Sequence, residues 1–476
     1  MRNLFVSDFP HLFRGRLWIL LLLLVFAVSR CIYFLIGVRF DANPLLWFWH
    51  YIDPYLLQND LWQSIYYLHI QPPLFNLWLG LSLKLVPSHL VLIFQTTYLL
   101  IGILFCVCLF LTLQQFGVSS PISFCLVSIF MISPSTVLYE NWLNYTYPVA
   151  FLVCLSTLAL VKFISTKRKS YAFCFFLVMC VLIMTRSLYQ PVWYVLIAGG
   201  LILTNKALRK PIALCSVIPF LPVLLLLTKN YLVFGEFSSS SWLGMGMFRV
   251  ATHTMTTETK EELIRQGSLS ELSLIRSYST IPAYRQFLGR VPQTDIPALD
   301  QQNKTTGFTN YNYLGYLNIS RLYLQEALSI LRNHPRYYFE GLRASLLIYL
   351  RSSADFQLSR YNYGKIEFFS AQFDRFVYWK LPDRLGGVCL LVVVLGPLLL
   401  LFSILDLRKL PISPAVIFIW FTVIYITFVA NAFELSENNR YRYEIDSLLL
   451  ILLGLFVQNM LNRMRLKYRQ QISHQF

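Results

Sequence analysis

The sequence predicts an all-α polytopic membrane protein of about 10–12 transmembrane helices with a helical insert on one side. Three observations carry that prediction. Of 476 residues, 56% are hydrophobic and 13% charged, with a mean hydropathy of +0.55, too little polar surface for a water-soluble chain of this size. Apolar runs of about 20 residues, enough at ~1.5 Å per residue to cross a bilayer, recur along most of the chain. Basic residues gather at the ends of those runs: Arg14 and Arg16, Lys167-Arg168-Lys169, Lys206, Arg209 and Lys210, Arg408-Lys409, and Arg463, Arg465, Lys467 and Arg469.

The balance of 40 Lys+Arg against 23 Asp+Glu gives a formal charge of +17. Its short, scattered clusters follow the positive-inside pattern, with contact to anionic lipid as an addition. They form no single stripe, so nucleic acid is not the expected partner. All nine cysteines lie in apolar segments without zinc or redox spacing and read as small buried hydrophobes.

Element by element, the chain opens with basic residues and an apolar run over 17–38. No small-residue cleavage site follows, so this is a retained first helix rather than a removed signal. Further apolar spans fall at 73–87, 90–113, 121–138, 147–165, 171–186, 190–204, 211–234, 385–405, 412–432 and 445–461. Three parts result: an N-terminal membrane module, 1–234, with a first outer segment at 39–72; an insert, 235–384; and C-terminal spans with a basic tail, 385–476. The insert holds 13 of the 23 acids and 17 of the 40 Lys+Arg, so it lies mostly in water. At this length it is a folded unit and not a simple loop. Its stretch "HPRYYFEGLRASLLIYLRSSA" (334–354) reads as a helix lying on the membrane surface or as a buried helix of the insert.

Basic ends place the N- and C-termini in the cytoplasm and 39–72, 235–384 and 433–444 outside. One conflict arises: four apolar spans over 73–165 separate an outside segment from an inside one, where an odd number of crossings is required. Either one span is re-entrant or two form a single broken helix. No internal repeat is visible, which counts against a secondary transporter.

Polar residues at the outer ends of the spans are the candidates for chemistry. Asp41 follows the first helix among aromatic residues, where partial desolvation raises a carboxylate's pKa and suits it to general-base work; a solvated loop acid is the alternative. Asp53 and Asp60 read as helix caps. Glu140, in "YENWLNYTYP", stands at the edge of an apolar span and is costly there unless it has a partner; it could give the same pocket a second carboxylate. Arg186 in "MTRSLYQP" and Arg440 and Arg442 in "SENNRYRYEIDS" defy the positive-inside trend. Arginine at the outer interface suits phosphate, with pairing to Glu437, Glu444 or Asp446 as the alternative. In "YLHIQPPLFNLWLG", Pro72 and Pro73 suit a helix's first turn, and His69 and Gln71 fall on the same outer surface as Asp41. Trp47, Trp49, Tyr66 and Tyr67 read as an interfacial belt or as sugar-stacking rings. Walker-type, HExxH and GxSxG motifs are absent.

Taken together, the acidic first outer segment, "HIQPPL", "ENWLNYTYP", "TRSLYQP" and "NNRYRYE" resemble the GT-C superfamily of integral-membrane glycosyltransferases. The nearest branch is that of the protein-mannosyltransferase and aminoarabinose-transferase-like bacterial proteins. The likeness covers about the first 200 residues and the last span, and leaves the insert unassigned. It implies a transferase of the bacterial plasma membrane that moves a sugar from a polyprenyl-phosphate donor to an acceptor on the extracytoplasmic side. Asp41 matches the first-loop catalytic acid and Glu140 loosely a second acidic position. His69, Gln71, Pro72 and Pro73 match the motif at the second helix. In that reading Asp41 deprotonates the acceptor, while Arg186, Arg440 and Arg442 bind the lipid phosphate. Many relatives carry two adjacent acids where this chain has Asp41 and Ala42, and one carboxylate with one histidine is a thin ligand set for a divalent metal. A lipid-linked saccharide polymerase or ligase, a transporter or flippase, and a non-catalytic partner subunit are the alternatives.

Overall fold

The computed structural model describes residues 9–354, 360–377 and 413–473. The expected span at 385–405 and the pair Arg408-Lys409 lie outside the described residues. Within them the chain is an all-α membrane protein: helices form throughout, and the only β pairing is two isolated bridges. Among the described residues six helices are long and apolar enough to cross a membrane, seven if the bent pair is one span, with three shorter apolar helices beside them.

In chain order the membrane module contains α1 (Phe9–Leu35), α2 (Leu74–Leu85), α3 (Leu90–Gln115), α4 (Ser120–Ile132), α5 (Pro134–Glu140), α6 (Thr146–Thr166), α7 (Lys169–Thr185), α8 (Pro191–Thr204) and α9 (Arg209–Phe234). The insert contributes α10 (Leu243–Ala251), α11 (Gly315–Asn333), α12 (Pro335–Tyr349) and α13 (Arg360–Phe376). After it come α14 (Pro414–Ala432), α15 (Asn438–Tyr443) and α16 (Asp446–Ser473).

The crossing conflict resolves at α2. With 12 residues it is about 18 Å long, short of the ~30 Å hydrocarbon core. Its Trp78 packs on Phe94 (5.0 Å between ring centroids) and Tyr98, near the start of α3. Its Asn76 accepts from Ile52 N (2.9 Å) and donates to His50 O (3.1 Å). Gly80 touches Leu57 O and the Leu61 side chain, which a Cβ would strike at 2.3 Å. Both ends of α2 therefore stay with the 39–72 segment. Helix α3 runs the full depth: Tyr98 near its start meets Phe40 (5.2 Å), and Leu113 near its end meets Gly454 in α16. Between 72 and 167 the crossings are then α3, the α4–α5 pair and α6, an odd number. The α4–α5 pair bends by 58° where Ser133 caps α5 by accepting from Thr136 N (3.3 Å) and Pro134, lacking an N–H, opens the new helix.

The 39–72 segment is itself helical in three short pieces, Pro44–Trp47, Pro54–Asn59 and Leu61–Tyr66. Asp53 caps the second as expected, accepting from Tyr55 N (3.0 Å), whereas Asp60 makes no such bond. Asp53 also takes Thr305 Oγ1 (2.7 Å) from the insert, and Lys304 Nζ donates to Phe48 O (2.9 Å). The insert is thus fastened onto the first segment.

Close backbone approach holds the insert together. Helix α10 crosses α11 at Gly244, where a Cβ would lie 1.8 Å from Ser320 O. Gly246 faces Phe433 O in the same way, and Gly341 of α12 faces Val250 O. Over 334–354, α12 packs one face on α10, α14 and α15, burying Tyr338, Gly341, Ser345 and Tyr349, and leaves Phe339, Leu346 and Leu347 exposed on the other. Gly244→Ala is therefore expected to cost about 1–3 kcal/mol through overpacking and to lower the unfolding midpoint in detergent. Gly199→Ala, at a helical position with no neighbour within 4 Å, should leave that midpoint unchanged or raise it.

Candidate functional site

The "HIQPPL" stretch that drew attention in the sequence is a seam between the first segment and the insert. His69 Nδ1 meets Ser241 Oγ (2.7 Å), and Nε2 meets the carbonyl of Asn312 (3.1 Å). A carbonyl only accepts, so Nε2 carries the proton and Nδ1 accepts from the serine. Burial holds the imidazole neutral and pushes its pKa down to about 4. The backbone joins in: Ser241 N donates to His69 O (3.0 Å), Ser240 Oγ to Ile70 O (2.6 Å) and Asn312 Nδ2 to Tyr67 O (3.1 Å). With both ring nitrogens occupied, His69 is a brace; the expected sugar or acceptor contact has no free nitrogen to use. Gln71 is buried beside it and accepts from Ser187 Oγ at a long 3.4 Å.

Asp41 and Glu140 sit in different surroundings. Asp41 forms a backbone bridge to Trp142: its N–H donates to Asn141 O (2.8 Å), and its carbonyl accepts from Leu143 N (2.9 Å). Its carboxylate is buried and accepts from Asn43 N (3.0 Å). Burial raises its pKa, offset in part by the Asn43 bond and by Lys365 of α13. Helix α13 is held over this point by Asn362, which accepts from Arg39 N (3.0 Å) and donates to Arg39 O (2.7 Å). Glu140 is gripped by Arg30 of α1 through Nε–Oε1 (2.8 Å) and Nη2–Oε2 (2.6 Å), and takes Tyr147 OH (2.8 Å). That fork clamps α1 to α5 and occupies both oxygens. Arg30 itself was legible as an arginine inside the apolar run "FAVSRCIYF".

The three outer arginines all find acids, and then diverge. Arg442 is fully buried and spends its donors on Asp446 Oδ1 (3.1 Å), Tyr349 O (2.8 Å), Arg351 O (2.5 Å) and Ser353 Oγ (2.6 Å). It ties α16 to the end of α12, which leaves it a brace where phosphate binding was expected. Arg440 is bonded to Glu437 and donates to Asn144 Oδ1 (3.3 Å) and Thr146 Oγ1 (3.1 Å). Arg186 Nη1 lies 2.9 Å from Glu444 Oε1 in a buried ion pair whose N–H alignment falls short of a hydrogen bond, and Tyr189 stands beside the same carboxylate. Burial pushes Glu444 up to about 7, against the pull of Arg186 and Arg440.

Arg186 and Arg440 belong to one cluster. Arg186 stands 4.8 Å over the Tyr145 ring and 4.5 Å over Tyr441; Arg440 stands 5.7 and 5.1 Å from the same two rings. His50 stacks on Tyr145 (5.7 Å, 16°) and hydrogen-bonds its hydroxyl. Burial, then Arg440, Arg186 and Lys304, hold His50 neutral. Beyond it Trp242 (4.8 Å from His50) leads to Tyr278 and Tyr311 of the insert. Two buried indole donors, Trp49 Nε1 and Trp242 Nε1, and Arg186 Nε meet no hydrogen-bond acceptor here. Two non-glycine residues with positive φ, Tyr278 (64°) and Ser436 (126°), border the cluster, each storing about 1–3 kcal/mol of backbone strain. Two guanidiniums over shared tyrosine rings, with unmet indole donors near them, are suited to an oxyanion.

The cluster joins four stretches of chain, 49–50, 145–186, 242–278 and 437–444, and sequence spacing carries no signal for that. Among the described residues no group of three or more His, Cys, Asp or Glu is placed to hold a metal ion. No family model, curated protein or solved structure matches this chain.

The divergence between the arginines is measurable. Arg442→Ala removes the guanidinium that joins Asp446 to the Tyr349 and Arg351 carbonyls and is expected to cost about 3–5 kcal/mol in thermal or denaturant unfolding. Arg186→Gln should cost much less, because Glu444 takes up a proton and no hydrogen bond is lost.

Proposed function

We propose that the protein is a membrane glycosyltransferase that moves a sugar from a polyprenyl-phosphate donor to an acceptor at the insert-bearing end of the bundle, on the extracytoplasmic face. The observation that carries this reading is Arg186: a buried guanidinium over the same two tyrosine rings as Arg440, ion-paired to Glu444 without full hydrogen-bond alignment. The basic flanks of the spans support the sidedness. The sequence likeness to GT-C enzymes supports the reaction class.

Asp41 and the arginines flank one short stretch. Asp41 pairs with Trp142 and Arg186 covers Tyr145, three residues apart along the chain. In the proposed step Asp41 takes the acceptor's proton as the acceptor atom attacks the anomeric carbon. The bond from that carbon to the phosphate oxygen breaks, and the electron pair leaves on the phosphate. The donor's phosphodiester carries one negative charge and the released polyprenyl phosphate two. Arg186 and Arg440 stabilise the charge that develops. His69, Arg442 and the Arg30–Glu140 pair hold the frame.

Transfer from a labelled polyprenyl-phosphate sugar by isolated membranes tests the base. Asp41→Asn should lose about 10²-fold or more of the rate at matched protein levels; full activity would remove Asp41 from the chemistry. Carrier binding has its own signature in pH. Protonating Glu444 as pH falls through about 7 adds one net positive charge to the cluster, so affinity for polyprenyl phosphate should rise on the acid side. Glu444→Gln should bind tightly across the range and abolish that dependence, as read by titration of the purified protein.

A further inference from the structure

A second feature, independent of the transferase reading, lies on the flank of the bundle. Between α1, α3 and α5 opens a pocket of about 380 Å³ lined by Arg30, Cys31, Phe34, Gln95, Leu99 and Asn141, among others. That volume is in the range of small-molecule sites. Its setting is the bilayer. Helix α1 is a candidate span of which only 22% of the apolar window is buried, and Cys31 and Phe34 are exposed on it. Arg30 sits five residues before the end of α1, roughly 7.5 Å below it, the level where acyl chains give way to headgroups.

The inner wall of the pocket is polar but electrically neutral. Arg30 is cancelled by Glu140, so the pocket offers no spare cation for a phosphate. Among the described residues the Gln95 amide has no hydrogen-bond partner, and Asn141 spends its amide nitrogen on Val137 O (3.0 Å); both side chains are half-buried and line the pocket. Unpaired amides at this depth are costly. Neutral oxygen acceptors and a hydroxyl satisfy them; hydrocarbon alone does not.

We infer that this pocket is a lateral binding site for a bilayer glycerolipid. The ester region of the lipid meets Gln95 and Asn141, and one acyl chain lies against Phe34 and Leu99. Asn141 O also accepts from Asp41 N (2.8 Å), so the headgroup of the seated lipid emerges beside Asp41.

The test reconstitutes the full chain in nanodiscs doped with a phosphatidylcholine bearing a diazirine near the ester, followed by photolysis and peptide mass spectrometry. Labelling of Cys31–Phe34 and Leu99 should exceed that of the exposed residues Leu224 and Leu225 on α9 at least fivefold. Leu99→Trp, which fills the pocket, and Gln95→Leu, which removes the amide, should each bring pocket labelling down to the α9 level. Two variants are used so that loss of fold in one does not decide the matter. Pocket labelling no higher than at Leu225 in the native protein, or unchanged in a folded variant, would overturn the site.

Discussion

A guanidinium or carboxylate taken out of water costs several kcal/mol unless it meets an opposite charge with good geometry, and the architecture of this protein follows from meeting that demand four times. Among the described residues Arg30–Glu140, Arg186–Glu444, Arg440–Glu437 and Arg442–Asp446 are the deeply buried pairs. Three are hydrogen-bonded and join elements: α1 to α5, α15 to the start of α6, α16 to the end of α12. Arg186–Glu444 is the exception, attractive in charge but without a hydrogen bond. In the proposed function this less tightly bonded pair is where the incoming anion binds.

The scaffold around that place is unusually cross-tied. The 39–72 segment rests on α2, tied through Asn76, and on the insert, tied through His69, Asp53 and Lys304. Close glycine contacts at Gly244, Gly246 and Gly341 bring α10, α12 and the 433 region into backbone contact. The "SSSSWLGMGM" stretch thus has a structural reason: its serines bond the 69–70 carbonyls and its glycines admit neighbouring backbones. These ties hold Trp242 and Tyr278 against His50, and through His50 against Tyr145 and the two arginines.

How much of this the sequence disclosed depended on whether the determining contact was local. Fold class and most helix boundaries were legible, since bilayer thickness imposes a run length that composition shows directly. The parity conflict over 73–165 was legible too. Its solution was not, because α2 is as apolar as a true span and only its contacts with Leu57, Leu61 and Trp78's partners show where it stays. The pairs Arg440–Glu437 and Arg442–Asp446 have helical spacing and were readable as alternatives to phosphate binding. Arg186–Glu444, with its partner 258 positions away, was only one of several pairings the residues allowed. His69 was noticed for the right reason, an odd polar residue before two prolines, but its partners Ser241 and Asn312 are distant in sequence. His50 gave no signal within "WFWHYID".

The account turns on Arg186 being the anion contact. An experimental structure of the full chain with bound polyprenyl phosphate tests that most directly. The phosphate should lie within hydrogen-bond distance of Arg186 Nε or Nη1, with the Glu444 carboxylate drawn away from the guanidinium. A phosphate bound elsewhere, with the 2.9 Å Arg186–Glu444 contact intact, would contradict it.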